Sequence, residues 1–184
     1  MKLLFATLVT AIMTFAASEV TVGNRLPDLK GEYLTGREAV LPGAASGRVA
    51  LLLFGFSYES RFDVEVWAKR FRQEFDKNSQ VTFYELPMIG GMARLGKWFI
   101  DSGMRRGTPK ADHEHVITVY GDTGGWKQRL GVKAEDSAYL VVVDQKGNIA
   151  WSQAGPFEEA RYAVLAEQVR KLVSKPWGTP KTGH

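Results

Sequence analysis

The feature that most constrains this chain is an unbroken apolar run from Val49 to Phe54, VALLLF, which lies between Gly47 and Gly55. An apolar run of this length with a glycine near each end is typical of a strand that is covered on both faces. Beyond the stretch FGFSYES, apolar residues recur at helical spacing from Phe62 to Lys77, which predicts an amphipathic helix. A buried strand followed by such a helix predicts an α/β domain with its sheet in the middle layer.

The other segments supply strands and helices that complete the domain. The predicted strands are a small N-terminal hairpin from DLKGEYL and REAVL, then QVTFYELP, HEHVITVYGD, SAYLVVVD and NIAWSQ. The predicted helices are a short one in TGGWKQRLGV, one from Phe157 to Ser174, and MARLGKWFIDSGM, with Met92, Leu95, Trp98 or Phe99 and Ile100 on one side. This order predicts a mixed central sheet with helices on both faces and a tight turn at Gly147.

The two ends of the chain differ from this domain in composition. The first residues, MKLLFATLVTAIMTFAAS, combine one lysine, an apolar run and small residues, which is the layout of a secretory signal. We predict cleavage after Ser18, a domain over residues 19–174 and a flexible tail over residues 175–184. The protein is then exported, either periplasmic or secreted, and an uncleaved signal that anchors it to the membrane is the alternative.

Composition excludes several classes of function. None of the 184 residues is a cysteine, so we expect neither thiol–disulfide exchange nor thiol peroxidase activity. The formal net charge of +4 comes from scattered basic residues, which disfavours nucleic acid as a partner. The glycine pairs lack the context of a phosphate loop, and no Gly-x-Ser-x-Gly motif is present. We therefore predict no catalytic residue and no small-molecule cofactor.

The N-terminal segment VGNRLPDLKGEYLTGREAVL resembles the entry segment of the redoxin branch of the thioredoxin superfamily. In that branch, which holds peroxiredoxins and periplasmic thiol reductases, a V-G-x-x-x-P-D start precedes a small hairpin. The resemblance implies a thioredoxin-like three-layer sandwich.

A second resemblance covers residues 49–157 and is to the mitochondrial ATPase-complex assembly factor of the thioredoxin-like clan. It is carried by the Trp67-x-x-x-Phe71 helix, by RRGTPK from Arg105 to Lys110, and by SAYLVVVDQKGNIAWSQAGP from Ser137 to Pro156. That family is associated with building the membrane sector of ATP synthase, so the resemblance implies a membrane-associated protein partner. Because this chain has a secretory-type signal in place of an Arg-rich transit peptide, the resemblance implies the fold more firmly than the partner.

The thioredoxin-like proteins that this chain resembles keep their redox cysteines in the turn between the central strand and its helix. In this chain the two cysteine positions fall at Glu59 and Phe62. The position of the cis-proline that many members carry falls near Ser137 or Ala138, where there is no proline. The loss of both features indicates that the groove for disulfide substrates has been abandoned.

Polar residues at this turn are candidates for a different kind of binding. We predict that Tyr58, Glu59, Arg61 and Ser137 contribute to a binding surface, in which the helix N-terminus favours the carboxylate of Glu59. The alternative for Glu59 is a solvated glutamate at a helix start. The alternative for the hydroxyl groups, including that of Ser57, is that they hydrogen-bond their own backbone.

Basic and aromatic residues elsewhere supply two more binding candidates. Arg105 and Arg106 belong to a basic loop suited to an acidic partner or to peripheral contact with anionic lipid heads. Of the tryptophans expected near the surface, Trp126, Trp151 and Trp177, we assign Trp151 to a binding surface. The alternative for Arg105 and Arg106 is a solvated loop without a partner. The alternative for Trp126 and Trp151 is half-buried packing.

The segment Asp112-His113-Glu114-His115 is the one cluster with the residue types of a metal site. On a strand the two histidines share a face, but a structural or catalytic site needs three or four protein ligands, so we predict no metal and interpret the segment as the solvated start of the third strand. The alternative function is a metal-binding protein or thiol-independent enzyme that uses Glu59, His113 and His115.

The leading prediction is a non-catalytic, cysteine-free thioredoxin-fold protein that acts by binding another protein. Its role is that of an assembly or chaperone-like factor of the cell envelope.

Overall fold

The computed structural model describes residues 20–174, except for the side chains of Met92 and Arg94. The predicted signal (1–18), the predicted tail (175–184) and the first residue of the predicted domain therefore lie outside the described residues. The strands are β1 Leu29–Tyr33, β2 Glu38–Leu41, β3 Val49–Gly55, β4 Val81–Pro87, β5 Ile117–Thr118, β6 Tyr139–Val143 and β7 Ile149–Ala154. The α-helices are α1 Ser60–Phe75, α2 Lys97–Gly107, α3 Thr123–Arg129 and α4 Glu159–Val173.

The central sheet has the strand order β4-β3-β6-β7. Strands β3 and β4 are parallel, as expected when a helix connects them, and β6 and β7 are antiparallel to their neighbours. The apolar run is β3, and its residues Val49 to Phe54 are almost fully buried between two strands and two covering layers. The apolar run predicted this position correctly.

A second, smaller sheet has the order β2-β1-β5 and contains the predicted N-terminal hairpin. It continues from the central sheet, because the chain around β5 runs parallel to β4 with bridges at Glu85–Val116 and Met88–Val119. Gly31 allows this arrangement, since a Cβ on it would lie 2.8 Å from the carbonyl oxygen of Thr118.

The sheet separates two hydrophobic cores. On one face, α1 and α4 pack on alternate residues of β3, β4 and β6, with Trp67, Phe71 and Tyr162 as the largest buried side chains. On the other face, the hairpin and α3 cover Leu52, Phe54 and their neighbours. This gives three layers, with helices on both faces of a mixed sheet.

Three predicted elements differ from the structure. The predicted helix that began at Met92 starts as a 3₁₀ segment, Gly91–Gly96, and becomes α-helical only at Lys97. The predicted third strand is reduced to the two residues of β5, and His113 to His115 form a turn before it. The first helix begins two residues earlier than predicted, at Ser60. Within residues 20–174, none of the helices combines the length and the apolar character that crossing a bilayer requires.

Candidate functional site

The turn between β3 and α1 is built around two serines that hydrogen-bond each other's backbone. The Oγ of Ser57 accepts the backbone N–H groups of Glu59 at 3.1 Å and Ser60 at 3.0 Å. The Oγ of Ser60 donates to the carbonyl of Ser57 at 2.8 Å and accepts the N–H of Ser57 at 3.2 Å. These bonds satisfy backbone groups that the start of a helix leaves free. The hydroxyl of Ser57 therefore serves its own backbone, which is the alternative considered from the sequence.

Gly55 lets the turn close tightly over the end of β3. Ser60 is fully buried, and a Cβ on Gly55 would lie 2.8 Å from its Oγ. Phe56, directly after Gly55, points into the core and contacts Tyr139 with their ring centroids 5.9 Å apart. The turn is thus held rigidly by packing on one side and by hydrogen bonds on the other.

Three side chains at the start of α1 form an exposed aromatic and cationic cluster, which we name the α1 cluster: Tyr58, Arg61 and Phe62. The guanidinium carbon of Arg61 lies 3.9 Å from the ring centroid of Tyr58 and 4.5 Å from that of Phe62. The two rings meet edge to face with centroids 6.5 Å apart. Tyr58 is 68% exposed and Phe62 is 53% exposed, although each has a large apolar surface. Aromatic rings and arginine are the side chains that most often dominate the energy of protein interfaces.

Sequence reasoning missed Phe62, which it placed in the apolar stripe of the helix. The buried stripe runs through Val64, Trp67 and Phe71, whereas Phe62 and the 47% exposed Val66 lie on another face. The spacing of Tyr58, Phe62 and Val66, four residues apart each time, was a usable signal, because residues four apart lie on one side of a helix.

The structure brings some of the predicted binding residues together. Glu59 is exposed beside the α1 cluster, at the start of α1. Ser137 precedes β6, whose Tyr139 pairs with Phe54 at the end of β3, so it lies at the same edge of the central sheet. The prediction of a surface around Tyr58, Glu59, Arg61 and Ser137 thus remains a prediction that the geometry allows.

The other predicted binding residues lie elsewhere. Arg105 and Arg106 are exposed in the last turn of α2, and Arg105 donates from Nε to the carbonyl of Leu34 at 2.7 Å. Trp151 is half-buried on β7, against the core that α1 and α4 form. The contacts of these residues are with other elements than the turn before α1.

The expectation that Trp126 lies near the surface is wrong. Trp126 is buried and stacks on Phe54, with ring centroids 5.5 Å apart. It anchors the short helix α3 to the core, because a helix of two turns buries too little other apolar surface. Trp177 lies outside the described residues.

The alternative function that combined Glu59 with the histidine pair is not supported by the geometry. His115 stacks on Phe83, with ring centroids 4.4 Å apart, and Phe83 contacts Phe71. Phe71 is three helical turns beyond Glu59, or about 18 Å along α1. The Nδ1 of His115 and the Nε2 of His113 each bond a backbone carbonyl, of Phe83 and Thr108 respectively. Within residues 20–174, no group of three histidine or acidic side chains is placed to hold a metal ion.

Glu85, a partly buried acid on β4, has no feature in the sequence that distinguishes it from the other acids. Val81, Phe83 and Glu85 lie at every second position of β4 and therefore share one face of the sheet. That face is covered by α1. Burial and the carboxylates of Glu65 and Asp112 raise the pKa of Glu85 to about 7, against the opposing effect of Arg72. Its charge consequently changes close to neutral pH.

Comparison with known proteins identifies the architecture. No protein-family model and no curated protein matches this sequence. Solved structures do match. A protein assigned as the thiol:disulfide interchange protein DsbE from Chlorobium tepidum aligns with a TM-score of 0.60 and 16% identity, over 85% of this chain and 100% of that one. The fold is thioredoxin-like.

Two further structures support the same thioredoxin-like fold. The exposed lipoprotein thioredoxin of Streptococcus pneumoniae has a TM-score of 0.57 and 12% identity, over 79% of this chain and 100% of its own. The thioredoxin domain of a thiol-disulfide oxidoreductase from Bacteroides vulgatus has a TM-score of 0.55 and 17% identity, over 82% of this chain and 99% of its own. Identities this low establish the fold alone. The predicted fold class is thereby confirmed.

Proposed function

We propose that this chain is an exported protein-binding module that uses a thioredoxin-like scaffold without thiol chemistry. The observation that carries the proposal is the α1 cluster. At the turn where the resemblance places redox cysteines, the chain instead exposes Tyr58, Arg61 and Phe62 on a tightly hydrogen-bonded support. None of its 184 residues is a cysteine, so no residue here can exchange disulfides.

The chemistry of the α1 cluster favours a protein as its partner. The rings and the guanidinium offer apolar area, cation–π contact and fixed hydrogen-bond donors at a low entropic cost, since the three side chains already hold one another. Glu59, directly before α1, and Asp63 and Glu65, within it, mix negative charge into the surface. A mixed charged rim around aromatic anchors is typical of protein interfaces.

The setting that we propose for this protein is the cell envelope. The sequence predicts a secretory signal, and one structural neighbour is described as an exposed lipoprotein. The resemblance to the ATPase-complex assembly factor family supports a role in assembling or guarding a protein complex of the cell envelope. We propose an assembly or chaperone-like factor there.

Affinity capture from the envelope fraction of the source cells tests this proposal. The full chain is compared with Tyr58→Ser/Phe62→Ser, and with Val164→Ser as the control, because Val164 is 50% exposed on α4, away from the α1 cluster. We expect a protein retained by the native chain and by the control but lost by the double variant, with the same result when a thiol reductant is added. Capture that is identical for all three chains, or absent at every salt concentration, would contradict the proposal.

A further inference from the structure

The outward face of α2 is apolar while its inward face is polar, which reverses the usual pattern of a helix in a folded domain. Trp98 is 70% exposed and Phe99 is 74% exposed, and their rings contact each other with centroids 4.8 Å apart. Leu95, in the preceding 3₁₀ segment, is 82% exposed. The sequence pattern had predicted these residues on one side of the helix, as the structure has them, but that side faces away from the domain.

Polar contacts hold the inward face of α2. Asp101 is 4% exposed, accepts the hydroxyl of Tyr120 at 2.6 Å and pairs with Lys97 at 2.6 Å. Lys97 also contacts Glu32 on β1, and Arg105 donates to the carbonyl of Leu34. Because buried charges are costly unless they are paired, this arrangement specifies which side of α2 faces the domain. The exposure of Trp98 and Phe99 is therefore a consequence of specific contacts.

The outward face is also positively charged. From Lys97 to Lys110 the sequence has four basic residues, of which Lys97 and Arg105 bond to the domain, and one acid, Asp101, which is turned inward. Arg106 and Lys110 are exposed. Three acids of β1 and of the segment after α2 are bound by other cations: Glu32 by Lys97, Asp112 by Arg72 and Glu114 by Arg37.

We propose that the outward face of α2, with the segments on either side of it, docks on the surface of an anionic phospholipid bilayer. We name this surface the α2 face and define it by Trp98, Phe99 and Arg106 of α2, Leu95 before it and Lys110 after it. Tryptophan and phenylalanine insert at the boundary of headgroups and acyl chains, and arginine and lysine contact the phosphates. Charge complementarity distinguishes the α2 face from the α1 cluster, whose neighbours in and directly before α1 include three acids, Glu59, Asp63 and Glu65. The two surfaces therefore fit different partners, a bilayer and a protein.

Co-sedimentation with phosphatidylcholine vesicles, prepared with and without phosphatidylglycerol, tests the proposal. The full chain is used throughout, so that the apolar residues 1–18 contribute equally to every variant. We expect phosphatidylglycerol to increase the bound fraction of the native chain, and added salt to reduce this gain through screening. Arg106→Gln/Lys110→Gln should lower the partition coefficient on anionic vesicles about 25-fold, at about fivefold for each charge removed.

Substitutions of the exposed rings separate a lipid-binding role from a general charge effect. Trp98→Ser/Phe99→Ser should weaken partitioning into anionic vesicles by at least about tenfold, because it removes the apolar area that inserts. Tyr58→Ser/Phe62→Ser is the matched control, since it removes two comparably exposed rings from the other surface, and it should leave vesicle binding unchanged. The folded state of each variant is checked by its denaturation midpoint.

Two results would overturn the proposal. One is a gain from phosphatidylglycerol that is the same in the native chain and in Arg106→Gln/Lys110→Gln. The other is vesicle binding that Trp98→Ser/Phe99→Ser does not change, while the same variant loses a protein in affinity capture. That second result would make the α2 face a protein-docking surface. Neither result affects the function proposed for the α1 cluster, which is tested by its own variants.

Discussion

At the scale of single residues, close contacts decide what each position of this scaffold can tolerate. Ser57 and Ser60 are committed to the backbone of the turn before α1, and Gly31 to the approach of β1 and β5. Glu85 is a partly buried acid whose proton is held more tightly than usual. Three predictions follow from these contacts, each for a single substitution.

The hydroxyl of Ser57 should matter for stability. Ser57→Ala removes the acceptor for the N–H groups of Glu59 and Ser60, so we expect a loss of about 1 kcal/mol in the free energy of unfolding. Urea denaturation measures it. Ser137→Ala, in a turn at the same edge of the sheet, should stay within about 0.5 kcal/mol of the native chain. If Ser57→Ala were neutral, the capping role of this serine would be wrong.

Gly31 should not accept a side chain. In Gly31→Ala the new Cβ would overlap the methyl group of Ile117 and lie 2.8 Å from the carbonyl of Thr118, so we expect destabilisation by about 1–3 kcal/mol. Gly103→Ala makes the same chemical change within α2, where no atom lies within 4 Å of the new Cβ. It should be neutral or stabilising by up to about 1 kcal/mol, because alanine favours helix. Equal effects of the two substitutions would contradict the close approach at Gly31.

Glu85 should make stability depend on pH. Because its pKa is raised to about 7, above the ordinary value for glutamate, the folded state holds this proton more tightly than the unfolded state, and stability falls as pH rises from about 4.5 to 7. Glu85→Gln removes this loss. We expect the variant to gain about 3 kcal/mol relative to the native chain between pH 4 and pH 8, as measured by denaturation at each pH. A difference between the two chains that does not change with pH would refute the shift.

At the scale of elements, α2 is the segment whose orientation the amino-acid pattern does not reveal. Its apolar residues lie on one side, as the sequence predicted, but the inward side is held by Asp101, Tyr120 and Lys97. Periodicity detects that one side differs from the other. It does not tell which side the rest of the domain covers, because here charged contacts decide it.

The orientation of α2 predicts a contrast between its two faces. Asp101→Ala leaves the hydroxyl of Tyr120 and the ammonium of Lys97 without their shared acceptor, so we expect a loss of about 3 kcal/mol in the free energy of unfolding. Trp98→Ser/Phe99→Ser should change it by no more than about 0.5 kcal/mol, because both rings are exposed. The opposite ranking in chemical denaturation would show that α2 packs with its apolar side inward.

Other elements were predictable for identifiable reasons. The unbroken apolar run from Val49 to Phe54 predicted a buried strand. The hairpin between β6 and β7 has Gly147 at a φ of +83°, as a tight turn requires. The strand expected over HEHVITVYGD was mostly wrong, since β5 keeps only Ile117 and Thr118 as ladder residues. The β-branched residues of that segment favour a strand, but His113 to His115 form part of the connection from α2 and adopt a turn.

At the scale of the whole molecule, the thioredoxin-like sheet and its two cores followed from the order of the elements, while the surfaces did not. The candidate site was predicted at the turn after β3, because a resemblance pointed there. Its leading side chains were identified only in part, since Phe62 was assigned to the buried stripe. Exposure depends on how α1 is rotated over the sheet, and Trp67 fixes that rotation by packing on Phe157 and donating to the carbonyl of Gly155.

The two surfaces of the molecule suggest a division of roles that rests on both proposals. The α1 cluster is aromatic with acids beside it, and the α2 face is aromatic with cations beside it. A protein that meets a bilayer with one face and a partner with the other fits an assembly factor at an envelope membrane. The scaffold supplies rigidity for both surfaces, through a sheet that is buried on both faces.

The central claim is that the scaffold binds a protein at the turn between β3 and α1. Site-specific photo-crosslinking in the source cells tests this claim. A photoreactive phenylalanine analogue replaces Tyr58 in one chain and Val164 in another, and crosslinked products are compared after irradiation. We predict a discrete protein adduct from position 58, unchanged by thiol reductant, and none from position 164. The same adducts from both positions, or no adduct at position 58, would contradict the claim.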